Sequence, residues 1–227
     1  MHPYLDPTAP IAPDAILTDD PKGAMDLAVA LCDTPRMSNL AHGLWGYHGK
    51  TREGAELTIQ SLGIGGPSAA AVMADLGRLG VVRAIRIGSC IGLNEALEPG
   101  SGLVATSIEP ADGAGVALAN GHPVQLDAAL TEALVHSLGG SLLGRVRSTD
   151  LHSSEPASGG DVVAADLSSA AFAAAGARDG IACACALIVA VSAGSPPLER
   201  ETLDEALIGL GARAAAALSA VAQASGS

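Results

Sequence analysis

An arginine inside an apolar run is the first residue to account for. "VVRAIRIG", Val81–Gly88, reads as a strand, with Arg86 near its carboxyl end. A strand interior rarely holds Arg without a partner. With Gly88 and Ser89 next in the chain, its guanidinium fork could bind an oxyanion, Ser89 adding a hydroxyl and an N–H. The plainer alternative is an edge arginine reaching solvent. Upstream, "LGIGGPS", Leu62–Ser68, puts three glycines and a proline in seven residues. Glycine admits positive φ and lets a ligand approach the backbone. The helix that follows would offer free N–H groups and positive dipole to an anion or oxygen. The plainer alternative is a tight strand–helix turn. Neither GxxxxGK[ST] nor GxGxxG is present, so neither nucleotide loop is implied.

The elements that must position these residues alternate in type. Short strands are expected at Ala15–Leu17, Ala55–Leu62, Val81–Gly88, Gly102–Pro110, Gly144–Asp150 and Ile181–Ser192. Helices are expected at Lys22–Cys32, from Pro67 onward, at Leu126–Gly139, at Ala164–Gly176 and after "GSPP". Ala69, Val72, Met73 and Leu76 recur at i, i+3, i+4, i+7, the apolar stripe of one helix. In the last helix Leu203, Leu207, Leu210 and Leu218 fall on one face. Such alternation implies a mostly parallel or mixed sheet covered on both faces, with ligands at the carboxyl ends of its strands. "SSEPASGGD", Ser153–Asp161, is the best candidate for a flexible loop.

Composition bounds the function. The chain has 227 residues, 48% of them hydrophobic and only 2% aromatic, so a core of Ala, Val, Leu and Ile is expected in one domain, 1–227. A net charge of -12 without a basic run argues against nucleic acid and against an anionic membrane surface. Cys32, Cys90, Cys183 and Cys185 match no zinc or redox spacing and read as buried free thiols. No signal peptide is evident, and the apolar run Ile181–Ala193 is too short for a membrane helix, so a cytoplasmic protein is expected.

Together the two opening stretches resemble the nucleoside phosphorylase family of hexameric purine nucleoside phosphorylases and uridine phosphorylases. The resemblance rests on Gly63-Ile64-Gly65-Gly66-Pro67-Ser68, the following helix, Leu79-Gly80-Val81 and Arg86-Ile87-Gly88-Ser89. It extends more weakly from about Ala15 to Ala217, through "DDPKGA", "GYHG", "STDLH", "AADLSSAA" and "VAVSAG". It implies a three-layer α/β/α sandwich with a mixed, mostly parallel sheet, assembled as a homodimer or as a homohexamer made of dimers. The implied reaction cleaves a nucleoside N-glycosidic bond, with phosphate or water attacking the anomeric carbon. No metal and no bound cofactor are implied, only phosphate as an optional co-substrate and a nucleoside or base as partner.

Carried over residue by residue, Arg86 and Ser89 match the phosphate-binding arginine and serine, and Ile64 with Gly65 lies beneath the sugar. His152 falls where the family stacks a Phe on the base; alone it reads equally as an exposed loop histidine. The family's Pro-Gly-Asp-Pro-x-Arg loop is here Thr18-Asp19-Asp20-Pro21-Lys22-Gly23. Asp19 replaces a glycine whose N–H meets phosphate, and Gly23 replaces an arginine. A carboxylate about 4 Å from an anion repels it by several kcal/mol. Lys22 is the candidate compensating cation, and His42 aligns with a second phosphate arginine donated by the neighbouring subunit. The sugar-gripping Glu-Met-Glu is here Asp166-Leu167-Ser168, which leaves Asp166 as the carboxylate. Ser192 is followed by Ala193 where purine-cleaving relatives carry the acid that protonates the leaving base. Arg86 and Asp166 are thus the expected catalytic pair, with Asp19 or Asp20 a further candidate to activate water. The alternative is a family member that binds a nucleoside-like molecule without cleaving it, or that serves as an oligomer subunit.

Overall fold

The computed structural model of the chain describes residues 3–93, 97–151 and 161–225. In chain order, β1 (Asp14–Thr18) leads to α1 (Pro21–Leu31). Then come β2 (Cys32–Asn39), a single 3-10 turn (Ala41–Gly43), β3 (Gly46–Thr51), β4 (Glu56–Ser61) and α2 (Gly66–Arg78). They are followed by β5 (Arg83–Gly92), β6 (Gly102–Ala111), α3 (Gly113–Ala119), β7 (Val124–Gln125), α4 (Ala128–Leu138) and β8 (Leu142–Thr149). β9 (Val162–Asp166), α5 (Ser169–Asp179), β10 (Ala182–Ser192) and α6 (Arg200–Ser225) complete the fold.

The sheet is mixed, with β4, β1, β5 and β10 running parallel through its centre. β10 bonds both β5 and β6, and β9 bonds both β5 and β8. Since β6 also pairs with β8, these five strands close on one another, and β1, β4, β3 and β2 extend from them as an open wing. Helices cover both faces. α2, α3 and α5 pack on one, α1, α4 and α6 on the other, which gives three layers.

Strand alternation assigns side chains to layers. On β10, Cys183, Cys185, Leu187 and Val189 enter the core beneath α2 and α5, while Ala184, Ala186 and Ile188 enter the opposite one. On β5, Ala84 and Cys90 face the first layer, and Ile85 and Ile87 the second. Each fully buried Ile or Leu of this kind contributes about 1.5–3 kcal/mol. By the same period of two, Arg86 shares the face of Ala84 and Cys90, in register with Leu17 of β1 and Cys185 of β10.

Most expected elements occur within two or three residues of their expected bounds. The helix expected at Ala164–Gly176 is a correction: Val162–Asp166 is strand β9, and the helix runs Ser169–Asp179. The β2–β3 hairpin was not anticipated. β2 carries Pro35, a positive φ at Thr34 and two register shifts, devices that suit an edge strand. All four cysteines are buried and free. α6 is long and apolar enough, with mean hydropathy 1.4, to cross a membrane by length and composition alone. It packs Leu210, Ala214, Ala217 and Leu218 into the core. Most of the loop expected at Ser153–Asp161 lies outside the described residues.

Candidate active site

β1, β5, β9 and β10 end around one cleft of about 490 Å³. Its lining includes Asp19, Ile64, Gly65, Arg86, Ser89, Asp166 and Ser168, with Cys90, Ile91, Ala165, Leu167, Ala190 and Val191. A larger groove of about 830 Å³ lies between α4 and α6, where six alanines stand beside Glu132, His136, Ser137 and Arg213.

Local sequence explains how the polar groups arrive there. Asp20 caps α1, accepting from the Lys22 N–H at 3.2 Å, and Pro21 occupies the first helical turn. Asp19 therefore sits at the junction where β1 has ended and α1 has not begun. At the glycine turn, Gly65 has φ +84, and the Ser68 hydroxyl donates to the Leu62 carbonyl at 2.5 Å, fixing the entry into α2. Gly88 makes room for the charged groups. A methyl there would lie 3.0 Å from Arg86 Nη2 and 3.1 Å from Asp19 Oδ2.

Arg86 is the centre of the site and only 1% exposed, so the edge-arginine reading is excluded. Its Nη2 donates to both oxygens of Asp19, at 3.1 and 2.8 Å. Its Nη1 donates to the Ser169 hydroxyl at 3.0 Å and pairs with Asp166 Oδ2 at 3.1 Å. Asp166 is held further by the hydroxyls of Ser148 and Ser169, each at 2.6 Å, and by the Ser169 N–H. The Ser148 hydroxyl in turn accepts from the Ala170 N–H at 2.8 Å. Ser168 donates to Asp19 Oδ1 at 3.0 Å. Two carboxylates thus share one guanidinium, and the group expected to receive an oxyanion already holds two.

The two acids differ in surroundings. The Asp166 side chain is 1% exposed, whereas that of Asp19 is 31% exposed at the cleft. Burial raises the Asp19 carboxyl above its ordinary range, opposed by the Arg86 charge and reinforced by the Asp166 carboxylate. Burial works against the Arg86 charge, but Asp19 and Asp166 more than offset it and hold the guanidinium protonated. Cys90 is pushed far above the usual thiol range, first by burial, and is neither nucleophile nor acid at neutral pH.

The other expected residues separate into groups. Ile64, Gly65, Ser89, Asp166 and Ser168 do line the cleft. Lys22 does not. Its Nζ meets Asp26 at 2.5 Å and Asp204 at 3.8 Å on the outer surface, because α1 turns it away from Asp19. His42 also lies apart from the cleft of its own chain, in the 3-10 turn with φ 57 and its ring 5.6 Å from that of Tyr4. Ser192 is buried beside Gly92, behind the lining residues Ala190 and Val191. Asp20 serves as a helix cap and pairs with Arg200. His152 lies outside the described residues. Sequence reading missed Ser148 and Ser169, which hold Asp166. Their signal was the need of a buried carboxylate for donors.

Comparison with known proteins bears on the family of the chain. A stretch of 101 residues is 36% identical to the guanosine phosphorylase of Halorubrum lacusprofundi, covering 44% of this chain and 40% of that protein. The sequence model of the phosphorylase superfamily matches residues 13–224. That span runs from the start of β1 almost to the end of α6 and includes every residue that lines the cleft. On that match the chain belongs to the phosphorylase superfamily.

Proposed function

We propose that this chain cleaves the N-glycosidic bond of a nucleoside with water as the acceptor, and that Asp19 is the general base. The observation that carries the reading is the Asp19 carboxylate on Arg86, both oxygens within 3.1 Å of Nη2. An anionic acceptor would have to displace that carboxylate or lie against it, and water does neither. A carboxyl raised by burial is a stronger base than an ordinary one, nearer the range in which proton transfer is effective. Arg86 and Ser168 hold it in one orientation. In the reaction, water oxygen bonds to the anomeric carbon, the carbon–nitrogen bond breaks with its electron pair on the base, and Asp19 takes the water proton. The negative charge of Asp19 also stabilises the oxocarbenium-like sugar as it develops. The name of the curated relative makes guanosine the first substrate to try.

The test is base release from a panel of purine and pyrimidine nucleosides, with and without phosphate. Release that is independent of phosphate and lost in D19N supports the reading. Release only with phosphate overturns it.

One observation favours a second reading, that of a chain which holds a nucleoside without cleaving it. Asp166 is engaged by Arg86, Ser148 and Ser169, which leaves it no free oxygen to grip sugar hydroxyls. Measurable nucleoside affinity without base release from any of the panel would select this reading.

A further inference from the structure

A helix at the surface carries charged and polar residues on its outer side, and one that is apolar all round is normally buried. The second half of α6 breaks that rule. From Ala206 to Ala224 its one charged residue is Arg213, in a chain whose net charge is -12. Its inner side packs Leu210, Ala214, Ala217 and Leu218 into the core. Arg213, Ala216, Ala220 and Ala224 are nevertheless exposed, and only 28% of its most apolar 18 residues are buried within the chain. This exposed side is one wall of the groove of about 830 Å³. α4 is the other wall, with Ala129, Glu132 and His136 exposed at i, i+3 and i+7 on one stripe.

We infer that a second copy of the chain docks in this groove, the α4–α6 pairs of two copies closing into a four-helix bundle about a two-fold axis. Charge complementarity carries the inference. Glu132 stands on one wall and Arg213 on the other, and among the described residues neither pairs with an opposite charge. The Ser137 hydroxyl donates to the Arg213 carbonyl at 3.0 Å. That contact sets Arg213 level with the end of α4, roughly one helical turn along the groove from Glu132. A two-fold axis running along the helices keeps these levels while it lays α4 of one copy over α6 of the other. Each Arg213 then comes within reach of the partner's Glu132, and the pair is made twice. Ala129, Ala133, Ala216 and Ala220 let the helix axes approach to about 8 Å. Two copies of an acidic chain also repel least across a face with so few charges. A bilayer suits this face less. Its described lining holds no Trp, Tyr, Phe or Leu, and anionic headgroups repel an acidic chain.

The test reads the mass of the full chain in solution, by light scattering after gel filtration at micromolar concentration. The unaltered chain should be a dimer or a larger even assembly. E132R sets an arginine against Arg213, and R213E sets a glutamate against Glu132. Each variant should keep its circular dichroism, weaken the association roughly tenfold or more, and halve the mass. An equimolar mixture of the two should restore the assembly, because every arginine of one chain then faces a glutamate of the other. A merely misfolded variant is not rescued in this way. A216R, which fills the groove with a bulky cation, should halve the mass and have no such rescue. A monomeric unaltered chain overturns the inference. So does an assembly that A216R leaves intact, or a pair of weakened variants that mixing does not restore. Flotation of the unaltered chain, but not of A216R, with phosphatidylcholine–phosphatidylglycerol vesicles and without self-association gives the face to a bilayer and overturns it as well.

Discussion

The two acids that flank Arg86 have the same chemistry and different surroundings. Asp166 ends β9, is sealed from solvent, and has its lone pairs filled by Ser148, Ser169 and Arg86. Asp19 follows β1, is open to the cleft, and among the described residues is held by Arg86 and Ser168. One guanidinium therefore joins a structural anion to a chemical one. The comparison teaches that an ion pair cannot be read from its partners alone. What fills the remaining lone pairs decides whether a carboxylate stays fixed or can take a proton.

Removing the shared guanidinium should have the largest effect. R86A leaves two adjacent carboxylates without a counter-charge, one of them fully sealed. It should abolish activity and cost about 3–5 kcal/mol in urea unfolding. A milder loss would mean that Asp19 and Asp166 relax into solvent and that the pairing is looser than described. D166N comes next. It loses one arm of the pair while the hydroxyls of Ser148 and Ser169 must find new acceptors, so roughly 2–3 kcal/mol of stability should go, together with activity.

D19N should divide the two properties. Activity should fall roughly 10²–10⁴-fold, the usual worth of a general base. At acidic pH stability should change little, since the neutral amide resembles the protonated acid and Arg86 keeps Asp166, and above the raised pKa of Asp19 the variant should be the more stable chain. The pH dependence has a definite sign. Burial raises the folded-state pKa of Asp19, so the folded chain binds the proton more tightly than the unfolded chain. Wild-type stability therefore falls as pH rises from the ordinary carboxylate range through the raised pKa, and D19N should lack that fall in thermal midpoints measured across acidic pH. Activity should rise over the same interval, because the base works deprotonated. The smallest effect is expected of K22A. Lys22 is exposed and pairs outside the cleft, so neither melting nor base release should change, and a marked loss of activity would return Lys22 to the site.

The same contrast explains what the sequence could disclose. That Arg86 needed a partner was legible from an arginine in an apolar strand. That the partner is Asp19 was not, because the contact joins residues 67 apart and depends on β1 and β5 lying side by side in register. Asp19 could be read only as a carboxylate misplaced for phosphate. The fold class followed from strand-like runs that alternate with helical ones, and β5 and β10, buried along nearly their whole length, lie at its centre. β9 was misread because "VVAADLSSAAFAAAG" is rich in alanine, whose helix preference masks a five-residue strand buried between β5 and β8. β2 escaped notice because an edge strand with a proline and polar residues carries no alternation. Lys22 misled because one residue along a starting helix turns a side chain far around its axis.

The most direct test of the central claim follows the oxygen. The reaction is run in ¹⁸O-labelled water with phosphate present, on whichever nucleoside of the panel releases base, and the sugar product is weighed by mass spectrometry. Asp19 on Arg86 predicts a free sugar carrying one ¹⁸O at the anomeric carbon, and no sugar phosphate. An unlabelled sugar 1-phosphate would contradict the account, because it would mean that phosphate displaces Asp19 from Arg86 and attacks in place of water.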